Sequence, residues 1–219
     1  MKKFIPLFFA FLLLSGCLKT YDNSVYNPII KICSNTKKGI VRGTGFIISY
    51  KKNFFLITAA HVVAGSELMW LFNKNETNSK IIPKQYFSPY ADDIAIVIIS
   101  DVPRQIKPMK LYKGKVKTGI LCEAYGYKYG FDYVVAGGLL LNSGFTVNGK
   151  VKNHLLTSCE IFTGMSGGPL VYNGQVIGVN SQILYCKGKD LQYGVHVPVK
   201  ELINWFDSML IFRKGLNKF

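Results

Sequence analysis

The stretch Thr163-Gly164-Met165-Ser166-Gly167-Gly168-Pro169-Leu170-Val171 is the most informative part of the chain, because three glycines and a proline surround one serine. Glycine lets the backbone turn sharply and lets a neighbour approach closely. Such a turn can expose the Ser166 hydroxyl and direct the backbone N–H groups of Gly164 and Ser166 at a developing oxyanion. Taken alone, the stretch is equally consistent with an ordinary glycine-rich β-turn.

A histidine follows a predicted hairpin on the N-terminal side of this turn. Residues 43–49 and 54–60 are apolar runs of β-forming residues separated by a short polar stretch, a pattern that predicts a β-hairpin. His61 comes directly afterwards, so its imidazole lies where a strand ends and a rigid scaffold can position it. A lone histidine at such a place is usually structural.

Two carboxylates precede a further apolar strand. Asp92 and Asp93 stand before the run Ile94-Ala95-Ile96-Val97-Ile98-Ile99. One of them can be an ordinary aspartate that faces solvent. A buried one needs a partner, because an isolated charge away from water is very costly, and an imidazole N–H is a suitable partner.

The three segments occur in the chain order His, Asp, Ser, and each has a distinctive context. Thr58-Ala59-Ala60-His61, Asp93-Ile94-Ala95 and Gly164-Met165-Ser166-Gly167-Gly168-Pro169 resemble the three motifs of the chymotrypsin-like serine proteases. The resemblance implies an all-β fold of two six-stranded antiparallel β-barrels with a C-terminal helix. It also implies hydrolysis of protein or peptide substrates with no cofactor and no metal.

The same resemblance assigns roles to individual residues. It implies that His61 is the general base, that Asp93 orients and stabilises it, and that Ser166 is the nucleophile. Asp93 is preferred to its neighbour Asp92 because it directly precedes Ile94, as in the family motif. The backbone N–H groups of Gly164 and Ser166 would form the oxyanion hole.

The resemblance extends from about residue 43 to residue 206. Residues 174–181 resemble the strand that forms one wall of the primary specificity pocket, and residues 193–199 resemble the last barrel strand, particularly that of HtrA/Deg-type proteases. After Pro198, apolar residues at helical spacing predict a C-terminal helix: Val199, Leu202, Ile203, Phe206, Met209 and Leu210. We therefore expect an HtrA/Deg-like protease domain without the PDZ domain that is usual in HtrA proteins.

Three further residues are candidates for the substrate pocket, namely Glu160, Ser181 and His196. An unpaired Glu160 would favour a basic substrate side chain, a protonated His196 an acidic one, and a pair of the two would cancel both preferences. In the alternative, neither residue has a role in the pocket: Glu160 faces solvent, and His196 is a structural strand residue whose polar atoms have hydrogen-bond partners. The sequence does not decide between them.

Met165 departs from the digestive proteases, which carry an aspartate before the nucleophile to bind a newly released N-terminus. Methionine cannot make that ion pair, so activation by a new N-terminus is not expected. We expect side-chain packing to replace a polar latch at this turn.

The first residues have the layout of an export signal, with a basic start, an apolar stretch from Phe4 to Leu14, and small residues ending in Cys17. The apolar stretch is too short for the roughly twenty residues of a spanning helix. Leu14-Ser15-Gly16-Cys17 resembles the lipobox of bacterial lipoproteins, which implies that Cys17 carries acyl chains such as palmitate and anchors the protein to a membrane. An ordinary secretory signal is the alternative.

This layout predicts four segments: a signal peptide over residues 1–16, a lipid anchor and tether over 17–38, a protease domain over 39–212, and a basic tail over 213–219. Four cysteines remain after Cys17, and in an exported protein they can oxidise. We expect disulfides between Cys159 and Cys186 and between Cys33 and Cys122, with four free thiols as the alternative. The sequence shows neither Cys-x-x-Cys spacing nor enough histidine for a structural metal site.

Composition limits the class of function. The chain has 219 residues, 49% of them hydrophobic, which is enough for a sizeable core, and its 14% aromatic content and 21 glycines favour many short strands. The formal net charge is +15, but the lysines are scattered and no nucleic-acid-binding motif is present, so we expect no nucleic-acid partner.

The sequence therefore predicts a serine endopeptidase of the bacterial cell envelope, lipid-anchored on the periplasmic or extracellular face of a membrane. Two alternatives stay open. A serine esterase also satisfies Gly-x-Ser-x-Gly, although the order of the triad argues against its fold. A protease-like binding lipoprotein without turnover is the other. The natural substrate and the oligomeric state are not specified by the sequence.

Overall fold

The computed structural model describes residues 28–37, 39–51, 53–72, 78–81, 86–87, 93–99, 106–147, 150–185 and 192–216. The predictions for the signal peptide, Cys17, Asp92 and Cys186 lie outside the described residues. So does most of the predicted tether.

The N-terminal half of the described chain forms one antiparallel sheet. Its elements are β1 (Ile29–Thr36), β2 (Gly39–Tyr50), β3 (Asn53–Thr58), α1 (Ala60–Val63), β4 (Ser66–Phe72), β5 (Asn78–Ile81), β6 (Tyr86–Phe87) and β7 (Ala95–Ile98). The strand order is β5-β4-β1-β2-β3-β7-β6. The predicted hairpin is confirmed, since β2 pairs with β3 from Gly45 opposite Thr58 to Tyr50 opposite Asn53.

The C-terminal half forms a second sheet that closes on itself. Its elements are β8 (Lys110–Leu111), β9 (Leu121–Lys128), β10 (Asp132–Val147), β11 (Lys150–Thr157), β12 (Pro169–Tyr172), β13 (Gln175–Tyr185), β14 (Gln192–Pro198) and α2 (Val199–Leu216). The order is β12-β9-β10-β11-β14-β13-β8, and a pairing of β12 with β13 closes six of these strands into a barrel. The prediction of a mostly β, chymotrypsin-like fold with a C-terminal helix is confirmed. Two six-stranded barrels were expected, whereas the first sheet has seven strands and no pairing between its described strands closes it.

An apolar core joins the two sheets. Alternate residues of a strand point to the same face, and Phe46 and Ile48 of β2 pack with Val179 of β13 and Val197 of β14 in one buried cluster. Phe206 of α2 belongs to the same cluster. Burying a side chain of this size contributes about 1.5–3 kcal/mol, so the two sheets and the helix are held in a fixed relation.

The helix α2 begins where the sequence predicted it, directly after Pro198. Its apolar residues Val199, Leu202 and Phe206 are buried, and the Phe206 ring stacks on Tyr50 at a centroid distance of 4.7 Å. The Tyr50 hydroxyl donates to the carboxylate of Asp207 on the next position of the helix. The helix therefore packs against the first sheet as well as following the second.

Two predicted boundaries need correction. The tether was expected to reach residue 38, but Ile29–Thr36 is a full strand that pairs with both β2 and β4. Ile29, Ile30 and Ile32 are buried there, so the folded unit begins at β1 and not at residue 39. At the other end, α2 continues to Leu216, past the predicted domain end at 212.

Candidate active site

His61 is fixed to Asp93 by two hydrogen bonds. The one-turn helix α1 begins at Ala60, so the backbone N–H of His61 is free of a strand partner and donates to Asp93 Oδ1 at 3.0 Å. The ring atom Nδ1 lies 2.7 Å from Asp93 Oδ2. Because an ionised carboxylate only accepts, Nδ1 carries the proton and Nε2 is left as an acceptor. The imidazole is thus held in one orientation and one tautomer.

Ser181 makes a third bond to the same carboxylate. Its hydroxyl donates to Asp93 Oδ2 at 2.7 Å. Ser181 lies on β13 of the second sheet, whereas Asp93 lies two positions before β7 of the first sheet, so this bond crosses from one sheet to the other. Ser181 was predicted for the substrate pocket, and the structure shows in addition that its hydroxyl is bonded to the carboxylate of Asp93.

The surroundings of Asp93 favour its charged form. Burial opposes ionisation, but the bonds and charge of His61, together with the Ser181 hydroxyl, outweigh burial and hold the pKa of Asp93 below its ordinary value. The His61 side chain is 49% exposed while that of Asp93 is 22% exposed. The pair therefore presents an open imidazole edge supported by a shielded anion.

The turn that carries Ser166 requires glycine at two positions. Gly164 and Gly167 have φ angles of 91° and 87°, in the left-handed region that side chains other than glycine rarely adopt. A Cβ built on Gly167 would lie 2.2 Å from the backbone oxygen of Thr44 and 2.6 Å from the backbone nitrogen of Ala59. The glycines thus let the Ser166 turn lie against the strand end that leads into His61.

Thr44 of the first sheet holds this turn at two points. Its hydroxyl donates to the carbonyl oxygen of Gly164 at 2.7 Å, and its backbone N–H donates to the carbonyl oxygen of Ser166 at 2.8 Å. The same hydroxyl accepts the backbone N–H of Tyr127 at 2.9 Å. Thr44 is completely buried, so all three bonds are shielded from water.

The turn leaves two N–H donors available. Within the described part of the chain, the backbone N–H groups of Gly164 and Ser166 have no acceptor, while the carbonyl of Thr163 accepts the Tyr129 N–H at 2.6 Å. Two neighbouring free donors in a tight turn can bind an anionic oxygen. The predicted positions Gly164 and Ser166 are therefore sterically and chemically suited to that role.

Among the described residues, no hydrogen bond joins the Ser166 hydroxyl to the His61 ring. In enzymes without substrate the bond between nucleophile and base is often long and shortens only in the complex. The contact of Gly167 with Thr58 and Ala59 keeps the serine turn beside the histidine.

A buried polar chain supports the turn from the second sheet. The Asn180 amide donates to the carbonyl oxygens of Met165 at 3.2 Å and Tyr125 at 3.0 Å. His196 Nδ1 donates to Asn180 Oδ1 at 2.9 Å, and the Thr157 hydroxyl donates to His196 Nε2 at 2.8 Å. Each polar group in this chain has a partner, which is the condition under which a buried polar network stabilises a unique conformation.

The structure agrees with the alternative in which His196 is a strand residue with both ring nitrogens bonded. Burial, with a smaller contribution from nearby His154, lowers the pKa of His196 to about 3. The ring is completely buried and neutral, so it offers no charge to a substrate. Glu160 is exposed and makes no ion pair with His196 in the described structure. Ser181 and His196 lie on the paired strands β13 and β14, where His196 is opposite Asn180, but neither makes a hydrogen bond or ion pair with Glu160 in the described structure.

Met165 meets the expectation of packing only in part. Its side chain is completely buried with Ala124, Leu140 and Leu170 of the second barrel. Its carbonyl is nevertheless held by the polar Asn180 amide. Packing and a polar latch act together at this turn.

The cysteines differ from the predicted pairing. Cys33, Cys122 and Cys159 are free thiols, and Cys122 Sγ lies 3.8 Å from Cys159 Sγ. The predicted pair Cys33–Cys122 is wrong, because Cys33 lies on β1 of the first sheet while Cys122 faces the interior of the second. Cys159, predicted to pair with Cys186, is a free thiol whose sulfur neighbour is Cys122, and Cys186 itself lies outside the described residues.

Three residues of this site were not singled out from sequence. Thr44, Thr157 and Asn180 act through partners distant in the chain, and the only local signals are the Gly-Thr-Gly context of Thr44 and the position of Asn180 beside Ser181. The part of the chain that the structure describes contains no group of three or more His, Cys, Asp or Glu side chains that could hold a metal ion.

The fold and the serine turn together define the class, which is that of the chymotrypsin-like serine proteases. The chain belongs to the trypsin family, whose profile, described as Trypsin, matches residues 28–206. This match begins at the strand β1 and ends within α2.

Relatives of known name agree with this placement. A probable periplasmic serine endoprotease, DegP-like, of Hahella chejuensis is 31% identical over 164 residues, which cover 72% of this chain and 33% of the relative. A probable periplasmic serine protease, do/HhoA-like, of Haemophilus influenzae is 28% identical over 184 residues, covering 80% of this chain and 38% of the relative. The chain thus spans little more than a third of the length of these curated relatives.

Solved structures share the fold. The HtrA-type protease AlgW with tripeptide has a TM-score of 0.69 at 23% identity, over 84% of this chain and 60% of that chain. The active form of the Rv3671c protease from M. tuberculosis has a TM-score of 0.65 at 25% identity, over 82% of this chain and 79% of that chain. In the segments described here, no helix is both long and apolar enough to cross a membrane.

Proposed function

We propose that the chain is a serine endopeptidase that cleaves peptide bonds through an acyl-enzyme on Ser166. The observation that carries this proposal is the Asp93 carboxylate, which accepts bonds from the His61 backbone, the His61 ring and Ser181 beside a turn with two free N–H donors. The pattern fixes a base and prepares a site for an anion, which are the two requirements of acyl transfer.

In the proposed mechanism, Nε2 of His61 takes the proton of the Ser166 hydroxyl as the oxygen attacks the substrate carbonyl carbon. The oxyanion of the tetrahedral intermediate accepts hydrogen bonds from the N–H groups of Gly164 and Ser166. His61 then gives the proton to the leaving amine, and a water molecule, activated by the same imidazole, releases the acid product. Asp93 stays ionised and stabilises the imidazolium in both halves of the reaction.

Labelling with a fluorophosphonate tests the nucleophile. We expect one adduct on Ser166 in the wild-type chain and none in Ser166→Ala. Ser208→Ala, which removes an exposed serine whose hydroxyl bonds the α2 backbone, is the matched control and should label as the wild type does. Absence of an adduct in the wild-type chain would refute the proposal and favour a binding protein without turnover.

Peptide and ester substrates separate the two enzymatic alternatives. A serine endopeptidase should cleave internally quenched peptides, and the cleavage should disappear in Ser166→Ala. Cleavage of p-nitrophenyl esters without cleavage of any peptide in a diverse library would instead support an esterase.

We also propose that the protease domain acts on proteins of the bacterial cell envelope from a lipid anchor on Cys17. The support is the lipobox-like sequence and the relatives that are named as periplasmic proteases. Metabolic labelling with a palmitate analogue tests this. The wild-type chain should carry the label and sediment with membranes, whereas Cys17→Ser should lose both properties. An unlabelled wild-type chain in the soluble fraction would refute the anchor and leave the protease proposal intact.

A further inference from the structure

A surface of two cations and three aromatic rings, three of the five exposed and two half-buried, lies beside the serine turn. We call it the basic aromatic surface, and its members are Arg42, Lys128, Tyr129, Phe131 and Phe162. Tyr129 is 57% exposed and Phe131 is 66% exposed. Large apolar side chains that cluster on a surface commonly mark a binding site.

Direct contacts join this surface to the candidate oxyanion turn. The Tyr129 backbone N–H donates to the Thr163 carbonyl at 2.6 Å. A Cβ built on Gly164 would lie only 2.5 Å from the backbone nitrogen of Gly130. On the other side, a Cβ on Gly130 would lie 2.4 Å from Cδ of Arg42, which precedes Thr44 by two positions. The surface and the turn are therefore parts of one packed unit.

The turn between β9 and β10 is held in an unusual conformation. Tyr129 has a φ of 54°, in the left-handed region, which is uncommon for an aromatic residue. The backbone bond to Thr163 and the close packing of Gly130 fix it there. Residues kept in such conformations cluster at functional sites, and here the exposed side chains of Tyr129 and Phe131 lie on a turn that packs against Thr163 and Gly164.

The two cations lie over aromatic rings and have no anionic partner among the described residues. The Arg42 guanidinium carbon lies 5.4 Å from the Phe131 ring centroid, and Lys128 Nζ lies 3.7 Å from that of Phe162. Asp132 is opposite Lys128 in the β9–β10 ladder, yet neither Lys128 nor Arg42 forms an ion pair with a carboxylate in the described segments. Stacked guanidinium groups keep their N–H donors free at the edge to bind a carboxylate.

We propose that the basic aromatic surface is a substrate subsite that binds an acidic side chain next to an aromatic one. This proposal rests on the proposed function. It names the class of substrate, which is a protein segment with an acidic side chain next to an aromatic one. Because the surface packs on Gly164 of the candidate oxyanion turn, a substrate chain bound at Ser166 can reach it with side chains close to the cleaved bond. Charge complementarity selects this occupant over a basic segment.

Binding to the Ser166→Ala chain tests the subsite without any turnover. The probes are fluorescein-labelled octapeptides of alanine and glycine that carry Glu-Phe, Gln-Phe or Lys-Phe at the centre. We expect the Glu-Phe peptide to bind more tightly than its Gln-Phe match by about two- to fivefold at low salt, as for an exposed charge pair. The Lys-Phe peptide should bind most weakly, and about 0.5 M salt should reduce the differences.

Substitutions identify the residues that produce the preference for the Glu-Phe peptide. In the Ser166→Ala background, Arg42→Gln and Lys128→Gln should each reduce the preference for Glu-Phe over Gln-Phe, and the double variant should abolish it. Phe131→Ala should weaken all three peptides while keeping their order. Lys110→Gln is the charge-matched control, because Lys110 is an exposed lysine of β8 outside this surface, and it should keep the preference.

Two results would overturn the subsite. One is equal binding of the Glu-Phe and Gln-Phe peptides to the Ser166→Ala chain. The other is a loss of preference in Lys110→Gln as large as that in Arg42→Gln, which would reflect net charge alone. Failure of the proposed protease function is recognised separately, since it appears as the absence of a fluorophosphonate adduct in the wild-type chain, whereas peptide binding does not depend on the nucleophile.

Discussion

The Thr44 hydroxyl donates a 2.7 Å hydrogen bond to the carbonyl oxygen of Gly164, so that a side chain of the first sheet holds the serine turn of the second. Thr44 also accepts the Tyr127 N–H and donates its own N–H to the Ser166 carbonyl. The position of the serine turn relative to His61 thus depends on one residue that carries no charge and takes part in no proton transfer.

We therefore expect Thr44→Val to impair both stability and reaction at Ser166. Valine fills the same volume but leaves the buried Gly164 oxygen and Tyr127 N–H without partners, at a cost of about 1–3 kcal/mol. Urea denaturation and the rate of fluorophosphonate labelling measure the two effects. Thr44→Ser keeps the hydroxyl and is the control. Equal labelling rates in wild type, Thr44→Ser and Thr44→Val would show that the bond does not position the turn.

The bond of Ser181 to Asp93 leads to a second prediction. Ser181→Ala removes one of three donors to the carboxylate, so the His61–Asp93 orientation should loosen. We expect kcat on a cleaved peptide to fall several-fold with little change in KM. Asp93→Asn should be far more severe, about 10⁴-fold, because an amide favours the wrong imidazole tautomer. A rise in KM at constant kcat in Ser181→Ala would place Ser181 in substrate binding, as the sequence first suggested.

The buried imidazole of His196 predicts a loss of stability in acid. Its folded pKa of about 3 lies below the value of about 6.5 that a histidine has in an unfolded chain. A group whose folded pKa is depressed stabilises the fold above its unfolded pKa, and this stability is lost as the pH falls toward the folded pKa. We expect the free energy of unfolding to fall as the pH is lowered from 7 to about 4.

Urea denaturation at several pH values measures this fall. His196→Gln should lower stability at pH 7 and flatten the dependence between pH 7 and about 4, because glutamine does not titrate. The depressed pKa of Asp93 acts in the same direction but only below about pH 4, where the carboxylate takes up its proton. An unchanged slope in His196→Gln would contradict a neutral, buried His196.

The contact between Cys122 and Cys159 predicts a selective oxidation. The two sulfur atoms are 3.8 Å apart, and the hydrogen bond from the Cys122 thiol lowers the pKa of Cys159. Mild treatment with diamide, which takes up two protons and two electrons from two thiols, should join Cys122 to Cys159. Non-reducing peptide mapping by mass spectrometry identifies the pair. A product that joins Cys33 to either residue would contradict the placement of Cys33 on the first sheet, and Cys159→Ser should abolish the link between Cys122 and Cys159.

Local pattern was sufficient for much of the fold. The hairpin β2–β3 and the helix after Pro198 were predicted correctly because apolar residues recur at strand and helix periods within a few positions of one another. The strand β1 was missed, since Ile29–Thr36 follows a polar segment and looks like a tether. Only its pairing with β2 on one side and β4 on the other shows that it belongs to the sheet.

The sequence by itself determined the class of fold and the three residues on which a hydrolytic site would depend, because the motifs and their order can be read directly along the chain. The tertiary structure alone decided what surrounds them. Thr44 and Gly164 are 120 positions apart, and Ser181 and Asp93 are 88 apart. The tertiary structure also bonds the Ser181 hydroxyl to the Asp93 carboxylate, buries His196 as a neutral support, and packs Arg42 against the turn of Tyr129. Such contacts follow from how two sheets pack together, and no spacing along the chain encodes them.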